Sequence, residues 1–361
     1  MSLDATVGVS ARGVNATLHV PAGRTLALLG PNGSGKTTVL EALAGLVSPD
    51  SGSASLGDTF LFAHDGGRML LTEPRRRGVA LVTQDASLFP HLSVLDNVAF
   101  PVRARGESRP DSRAIAHEWL ARTGTDDLAA RRPLSLSGGQ ARKVAVARAL
   151  ASEPRLILLD EPFASLDVDA AVALRSLLRE VLVGRTAVLS THDGLDAIDL
   201  ASSVAVLDHG EVVEQGPTAA TFERPRTAFT AAMAGLVWVS GVWTGDSHAD
   251  GALVLADGQS LDASGTGLRA GARAAVALDP RSVKLVPAET ASGIRDTVQS
   301  LEPRGDGTLR VRGSVLWAEV SIAEAARLVP RVGDPVHFGI AGRPSAFGLG
   351  DKSTNAPERT S

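Results

Sequence analysis

The segment Gly30-Pro31-Asn32-Gly33-Ser34-Gly35-Lys36-Thr37-Thr38 decides the fold. It fits the pattern GxxxxGK[ST], follows the apolar run TLALL and leads into the helical pattern VLEALAGL. Glycines at positions 30, 33 and 35 let the backbone curl, so that successive N–H groups and a helix N-terminus face a polyphosphate. Lys36 would reach the terminal phosphates, and the Thr37 hydroxyl would bind Mg²⁺. The segment therefore predicts a nucleotide-binding phosphate loop between a strand and a helix.

The second anchor is an apolar run, Leu156 to Leu159, that ends in two carboxylates, Asp160 and Glu161. A run without alternation is typical of a strand that is buried on both faces of a sheet. Ligands of open α/β sheets bind at the C-terminal ends of the strands, so Asp160 is placed to hold Mg²⁺ and Glu161 to orient or deprotonate water. A glutamate beside the metal aspartate favours hydrolysis over phosphoryl transfer, which leaves the small-molecule kinases as the competing class.

The third motif, Leu136-Ser137-Gly138-Gly139-Gln140, begins a helical pattern that ends before Pro154. Ser137 is a good N-cap, and the two glycines expose the N-terminal amides of the helix as a second anion site. Two phosphate sites on one domain would be redundant for one nucleotide, unless the second serves a nucleotide held by another subunit.

In these motifs the chain resembles the ATP-binding cassette (ABC) ATPases, from its start to about residue 225. Gln84 resembles the glutamine loop of that family, Ser165-Leu166-Asp167 its D-loop and His192 its switch histidine. The resemblance implies ATP and Mg²⁺ as cofactors, Glu161 and His192 as catalytic residues, Gln84 as a nucleotide-binding residue, and a metal site made by Thr37, Gln84 and Asp160. It also implies a homodimer in which each ATP lies between the phosphate loop of one chain and Ser137, Gly138, Gly139 and Gln140 of the other.

Two positions depart from the pattern of that family. An aromatic residue that stacks on adenine is expected before the phosphate loop, but residues 10–14 read SARGV and the chain has no tyrosine. Arg12 could stack there by its guanidinium plane, a contact of about 0.5–2 kcal/mol. Arg142 and Lys143 stand where relatives often carry glutamine and arginine, and the sequence assigns no function to that difference.

The order of patterns along the chain predicts its organisation. Strand-like and helical patterns alternate up to about residue 225, which predicts an α/β domain with a largely parallel sheet. From about Val237, short valine-rich strands broken by glycine and aspartate are typical of small OB-like barrels. We therefore predict an ABC ATPase domain at 1–235, with a helical subdomain at about 86–153, and all-β regulatory barrels of the TOBE type at 236–350. Residues 351–361 are polar and are predicted to be a disordered tail.

Composition excludes several classes of protein. With 36 basic and 40 acidic residues among 361, the chain has no global basic field for nucleic acid, and without cysteine it has no disulfide, thiolate nucleophile or cysteine-ligated zinc. The N-terminus lacks the pattern of a signal peptide, and the uncharged stretch 227–245 fits a helix end followed by a strand better than a membrane span. We expect a cytoplasmic protein, peripheral on the inner face of the cell membrane, that binds no nucleic acid.

Transport is the function that the pattern favours among ABC ATPases. Repair members insert long coiled coils and translation members carry two cassettes, and such an ATPase is the rival from a different class. The stretch Gln84 to Val98 resembles the segment that contacts permease subunits in importers of oxyanions, ferric iron, polyamines and sugars. The compact N-terminus, the passage Arg75 to Asn97 and the run from Trp317 to Phe338 are together most similar to the molybdate importer ATPases, whose barrels bind the oxyanion as a signal or only dimerise. We expect permease partners and, indirectly, a substrate-binding protein, with molybdate as the first substrate and sulfate, ferric iron, polyamine or sugar as alternatives.

Overall fold

A computed structural model describes residues 1–65, 67–245, 250–286, 293–305 and 307–349. It divides the chain into two compact units, the first from Met1 to Ala219 and the second beginning at Ala220. The predicted disordered tail, residues 351–361, lies outside the described residues.

An eleven-stranded sheet forms the frame of the first unit. Its strands are β1 (Leu3–Val9), β2 (Val14–Val20), β3 (Thr25–Leu29), β4 (Ser51–Leu56), β5 (Thr59–Asp65), β6 (Arg68–Leu71), β7 (Val79–Val82), β8 (Leu156–Asp160), β9 (Ala187–Ser190), β10 (Ser203–Asp208) and β11 (Glu211–Pro217). They lie in the order β6-β5-β4-β1-β2-β11-β10-β3-β9-β8-β7. The strands from β10 to β7 in this order are parallel to their neighbours, which confirms the predicted α/β class. The strands from β6 to β2, and the pair β11 and β10, are antiparallel, so the sheet is mixed and the prediction of a largely parallel sheet is wrong.

Six helices of the described residues lie within the first unit, and a seventh crosses into the second. They are α1 (Lys36–Ala44), α2 (Val94–Ala104), α3 (Arg109–Arg122), α4 (Gly138–Ala151), α5 (Val168–Val181), α6 (Gly194–Leu200) and α7 (Thr218–Glu223). Helices α2, α3 and α4 fall within the range predicted for the helical subdomain, and their apolar faces share one core, with Val98, Trp119 and Leu150 among its members.

Strand β8 shows how the sheet separates two cores. Leu156 and Leu158 belong to the core that contains residues of α1, whereas Ile157 and Leu159 belong to the core that contains residues of α2 to α5. All five residues of the strand are buried, as predicted from the apolar run. Asp160 is the last residue of the strand. Because both faces of β8 are packed, its carboxylate is held at the C-terminal edge of the sheet.

The second unit is built mainly of short antiparallel strands. A closed barrel contains β12 (Val237–Trp243), β13 (Asp250–Val254), β14 (Ser260–Gly265), β15 (Arg273–Leu278) and β22 (Ser345–Gly348). Two three-stranded sheets follow, one of β16 (Val283–Val286), β17 (Ile294–Thr297) and β21 (Pro335–Ile340), the other of β18 (Ser300–Pro303), β19 (Thr308–Arg312) and β20 (Trp317–Ser321). We predicted several small barrels, whereas the described residues form one closed barrel and two open sheets.

Trp243 explains the glycines of the barrel. Its side chain is fully buried, and a Cβ atom added at Gly245, Gly251 or Gly265 would lie 2.6–2.9 Å from its indole ring. Only glycine lets three backbone segments approach the ring so closely. The glycine-broken strands are therefore a packing requirement of one large aromatic side chain.

The boundary between the units differs from the predicted one at 235. The helices α7 and α8 (Ala228–Met233) bring part of the chain before β12 into the second unit, where the Trp238 indole donates a hydrogen bond to the Pro225 carbonyl at 3.1 Å. The uncharged stretch 227–245 contains α8 and β12, as predicted from its pattern. A last helix, α9 (Ile322–Leu328), follows β20. Within the described residues, no helix is both long and apolar enough to cross a membrane.

Candidate active site

The phosphate loop joins β3 to α1 with a backbone that requires glycine. Gly30, Gly33 and Gly35 have φ angles of 152°, 81° and 106°. A Cβ atom at Gly30 would lie 2.2 Å from the Leu207 carbonyl oxygen, and one at Gly35 would lie 2.6 Å from a methyl group of Val14. Nothing lies within 4 Å of a Cβ built at Gly33, so the loop is open on that side. The loop is therefore held by the sheet behind it and exposed in front.

Lys36 is buried under this loop. Its side-chain nitrogen Nζ donates hydrogen bonds to the carbonyl oxygens of Gly30 at 2.8 Å and Pro31 at 3.1 Å, and lies 4.0 Å from Oε1 of Glu161. Burial lowers the pKa of Lys36, while the nearby carboxylates of Glu161 and Asp160 act in the opposite direction. The ammonium group is thus held at the loop by carbonyl oxygens and by the acidic end of β8.

Asp160 and Glu161 are joined through one serine. The Ser190 hydroxyl donates to Oδ1 of Asp160 at 2.6 Å and accepts a hydrogen bond from the backbone N–H of Glu161 at 2.9 Å. Glu161 has a φ angle of 42°, a left-handed conformation that is unfavourable for a residue with a side chain. Ser190 ends β9, the strand beside β8, so the parallel pairing places this hydroxyl between the two acidic residues.

His192 approaches Glu161 from the next segment of chain. Its Nδ1 atom lies 3.7 Å from Oε1 of Glu161, and the imidazole is 61% exposed. Gln84, Ser165, Glu161 and His192 all line a cavity of about 420 Å³. The structure therefore brings together four residues that the sequence analysis selected from distant parts of the chain.

The segment Ser137 to Gln140 does not line this cavity. Ser137 caps α4 as predicted: its hydroxyl accepts from the N–H of Gln140 at 3.3 Å, while the Gln140 side chain accepts from the N–H of Ser137 at 3.0 Å. Nothing lies within 4 Å of a Cβ built at Gly138. The start of α4 is thus ordered by its own capping box and open toward solvent in the single chain.

Three residues near His192 were missed by the sequence analysis. Arg175 of α5 donates from Nη2 and Nε to Oδ1 of Asp196 at 2.6 and 3.0 Å, and Thr191 donates to Oδ2 of Asp196 at 2.8 Å. Burial raises the pKa of Asp196, against hydrogen bonds from both partners. No local pattern marks these residues, because helices α5 and α6 meet only in the folded chain.

Arg12 lies beside α1. Its Nη1 atom donates to Oε2 of Glu41 at 2.7 Å and to the Thr38 hydroxyl at 3.3 Å. The guanidinium group is thus fastened close to the residues that follow Lys36 and Thr37. The interpretation of Arg12 as a stacking partner for adenine stays a prediction.

The residues of the site fit a magnesium nucleotide. The Ser34 hydroxyl is buried in the loop and has no hydrogen-bond partner, and Thr37 is exposed, with no side-chain hydrogen bond in the described part of the chain. Within those residues, no cluster of three acidic or histidine side chains could hold a metal ion by itself. One carboxylate, one hydroxyl and one amide are instead the donor set of a Mg²⁺ ion that phosphates help to hold.

Comparisons with known proteins show the family of this chain. A family model described as "ABC transporter" matches residues 14–164. The "Putative 2-aminoethylphosphonate import ATP-binding protein PhnT" of Salmonella typhimurium is 36% identical over 331 residues, which cover 88% of this chain and 86% of that protein. The chain belongs to the ABC transporter ATP-binding proteins.

Two further members of this ABC family add detail. The "Molybdenum import ATP-binding protein ModC" of Mycobacterium tuberculosis is 47% identical over 239 residues, and the chain spans 64% of that protein's length. A solved structure, described as a dimeric post-hydrolysis state of an ATP-binding cassette bound to ADP and Pi, is 28% identical with a TM-score of 0.52. It covers 60% of this chain, and 99% of its own length is matched. The predicted ABC fold is therefore confirmed.

Proposed function

We propose that this chain is the ATP-hydrolysing subunit of an ABC importer. The observation that carries the proposal is the cluster of Lys36, Glu161 and His192. Nζ of Lys36 lies 4.0 Å from Oε1 of Glu161, and Nδ1 of His192 lies 3.7 Å from the same oxygen. A phosphate-binding cation, a general base and a polar partner for that base are the groups that hydrolysis of a phosphoanhydride requires.

The phosphate loop would hold the nucleotide. The backbone N–H groups of the loop and of the first turn of α1 would donate to phosphate oxygens, and Lys36 would exchange its bonds to loop carbonyls for bonds to phosphate oxygens. Thr37, Gln84 and Asp160 would hold Mg²⁺, which, when bound, neutralises phosphate charge. Asp160 is already oriented for this role by its hydrogen bond from Ser190.

Glu161 would act as the general base. A water molecule beside Oε1 of Glu161 would lose its proton to that atom as its oxygen bonds to the γ-phosphorus, while the bond from that phosphorus to the bridging oxygen breaks and ADP leaves. His192 lies close enough to the same oxygen to position the carboxylate and the water through hydrogen bonds. The Arg175–Asp196–Thr191 network fixes the backbone just before His192, so the imidazole is presented from a rigid segment.

We also propose that two copies complete the site. Ser137 to Gln140 offer a second anion site that does not line the cavity containing Glu161, which fits a nucleotide held by the other copy. The dimeric neighbour structure, bound to ADP and Pi, supports this arrangement.

Permease subunits are the further partners in this proposal. The segment Gln84 to Val98 would contact them on the inner face of the membrane, and a substrate-binding protein would act through them. Both relatives reported above carry import in their names, which supports this role.

Molybdate is the substrate that we propose first, with sulfate, ferric iron, polyamine and sugar as alternatives. One relative is named for molybdenum and another for 2-aminoethylphosphonate, so the names differ on the substrate. In the second unit, a cavity of about 800 Å³ is lined by Lys284 and Arg295, and neither makes an ion pair within the described residues. Asp262 also lines it. We propose this cavity as the place where the predicted regulatory oxyanion binds.

The test of the catalytic proposal is Glu161→Gln in the full chain. The amide keeps the shape of the side chain but cannot accept the proton, so phosphate release should fall about 100-fold or more. Phosphate release with Mg²⁺ and ATP is measured for both proteins, with Glu153→Gln, an exposed residue after α4, as the control. Turnover of Glu161→Gln at the wild-type rate would contradict the proposal.

The same variant tests the dimer. Because Glu161→Gln should bind ATP without consuming it, the chain should elute as a dimer in size-exclusion chromatography with ATP and as a smaller species without it. Gly138→Trp should prevent this shift, since it fills the open start of α4. An ATP-independent elution position would contradict the two-copy site.

A further inference from the structure

Arg142 of α4 lies at the junction between this helix and the loop that carries Gln84. We propose that Arg142 is a positioning residue that ties this loop to helix α4. The inference rests on the proposed function, because it depends on a role for Gln84 in the reaction.

The guanidinium of Arg142 is bound to the residue before Gln84. Its Nη1 atom donates a hydrogen bond of 2.7 Å to the carbonyl oxygen of Thr83. Arg142 is only 5% exposed, and burial lowers its pKa, opposed by the charges of Asp85 and Asp160. One buried cation therefore holds the backbone on the N-terminal side of Gln84.

A second arginine of α4 holds the other end of the same loop. Arg148 donates from Nη1 to the Ser87 carbonyl at 2.9 Å and from Nη2 to the Ala86 carbonyl at 3.2 Å. Ala86 and Ser87 have φ angles of 57° and 43°. A left-handed backbone is unfavourable for a residue with a side chain, and it persists where surrounding contacts hold it. Helix α4 thus fixes the loop both before and after Gln84.

Stability alone does not explain Arg142. Its Nε atom is buried without a hydrogen-bond partner in the described part of the chain, and a donor left in this way is unfavourable. A buried charge is in general weak as a stabilising element compared with apolar packing of the same volume. The hydrogen bond to Thr83 instead gives Arg142 a directional role, since it fixes the backbone next to Gln84 relative to helix α4.

Helix α4 also links this junction to the second copy. Ser137 to Gln140 begin α4 and, in the proposed dimer, face the nucleotide held by the other chain. Arg142 and Arg148 follow on the same helix and hold the loop of the site in their own chain. Movement of α4 on nucleotide binding at one site would therefore shift Gln84 at the other.

The test compares Arg142→Met, Arg142→Lys and a matched control in the full chain. Methionine keeps the approximate length of the side chain but removes the hydrogen bond and the charge. The kcat of Arg142→Met should therefore fall about 10- to 100-fold, while its KM for ATP should change less than about twofold. Lysine keeps a donor and a charge, and should recover part of kcat. Arg105→Met is the control, because Arg105 donates to the Ser152 carbonyl just beyond the far end of α4, and its kcat should stay at the wild-type value.

Hydrogen exchange gives a readout that does not depend on turnover. Without nucleotide, the amides of residues 84–88 should exchange faster in Arg142→Met than in the wild type, and at the wild-type rate in Arg105→Met. If Arg142→Met does not fold, Arg142→Gln, which keeps a donor, replaces it with the same expected direction. Glu161→Gln is measured in parallel, so that failure of the catalytic proposal is recognised separately.

Two results would overturn the inference. One is a wild-type kcat in Arg142→Met while Glu161→Gln is inactive. The other is a loss that falls on KM alone, with unchanged exchange of residues 84–88, which would show that Arg142 affects nucleotide affinity and does not position the loop.

Discussion

Charged residues are arranged differently in the two units of this chain. In the first unit, Lys36 and His192 both approach the same oxygen of Glu161. In the second unit, charges pair across neighbouring strands, as in the contacts of Arg310 with Glu319 at 2.9 Å and Arg312 with Glu302 at 3.2 Å. Paired charges mainly hold strands together, whereas charges that converge on one point can exchange partners with a ligand. The difference supports the proposal that the chemistry belongs to the first unit, while the sensing role of the second unit stays a prediction.

The largest effect on stability is expected from Phe338→Ala in the second unit. Phe338 is fully buried in β21, so its removal should lower the free energy of unfolding of this unit by about 3–5 kcal/mol. Urea unfolding is followed by fluorescence in a Trp119→Phe background, because the other tryptophans all belong to the second unit: Trp238, Trp243 and Trp317.

ATP affinity of the Phe338→Ala chain should stay at the wild-type value at low urea. Val332→Ala, at a 64% exposed position of the same unit, is the control and should change the free energy by less than about 0.5 kcal/mol. Loss of ATP binding in the folded Phe338→Ala chain would break the comparison, since it would give the second unit a part in nucleotide binding.

Lys36→Ala should have the next largest effect, now in the first unit. The ammonium group neutralises phosphate charge in the bound ground state, so ATP affinity should fall about 100-fold or more, equivalent to about 2.7 kcal/mol. Calorimetric titration measures it, with Lys143→Ala as the matched lysine control. Equal ATP affinity of Lys36→Ala and the wild type would show that the loop is not the phosphate site.

Oxyanions are expected to raise the thermal stability of the second unit by an amount that depends on their concentration. Binding of molybdate, tungstate, sulfate or phosphate to the folded form raises its stability by RT ln(1 + [L]/Kd), about 2.7 kcal/mol at a hundredfold excess over Kd. Thermal melting of the full chain, followed in the Trp119→Phe background, should show a shift that is lost in the Lys284→Gln/Arg295→Gln double variant and kept in Arg327→Gln. No shift with any of these anions at millimolar concentration would contradict the sensing role and weaken molybdate as the first substrate.

Much of the first unit follows from local sequence. The patterns predict strands at Thr25–Leu29 and Leu156–Asp160, and the structure has both with these bounds. Each strand is apolar except at one end, where Thr25 begins β3 and Asp160 ends β8. Gly30 and Pro31 follow the first strand, and Glu161 and Pro162 follow the second. The bounds of these strands can therefore be predicted from each segment alone. The folded structure adds which strands lie beside them in the sheet.

The barrel of the second unit shows the opposite case. Its closure depends on the pairing of β22 with β14 and β15, in which Ser264 lies opposite Ser345. Contacts between residues so far apart in the chain leave no periodic pattern in either segment. The strands could be predicted from valine and glycine spacing, but which of them close a barrel could not.

The site divides in the same way. Gln84, Glu161 and His192 stand in short motifs, and the structure places all three around one cavity, while their roles stay predictions. Arg142 and Arg175 were missed because each acts on a partner on another element, the Thr83 carbonyl 59 residues away and Asp196 21 residues away. Their function depends on tertiary contacts that no local motif encodes.

The central claim is that Lys36 binds the nucleotide and Glu161 hydrolyses it. The most direct measurement is the nucleotide that stays with each protein after incubation with Mg²⁺ and ATP and rapid gel filtration. We predict intact ATP on Glu161→Gln, ADP or no nucleotide on the wild type, and no nucleotide on Lys36→Ala. Recovery of ADP from Glu161→Gln in the wild-type amount, or of ATP from Lys36→Ala, would contradict the account.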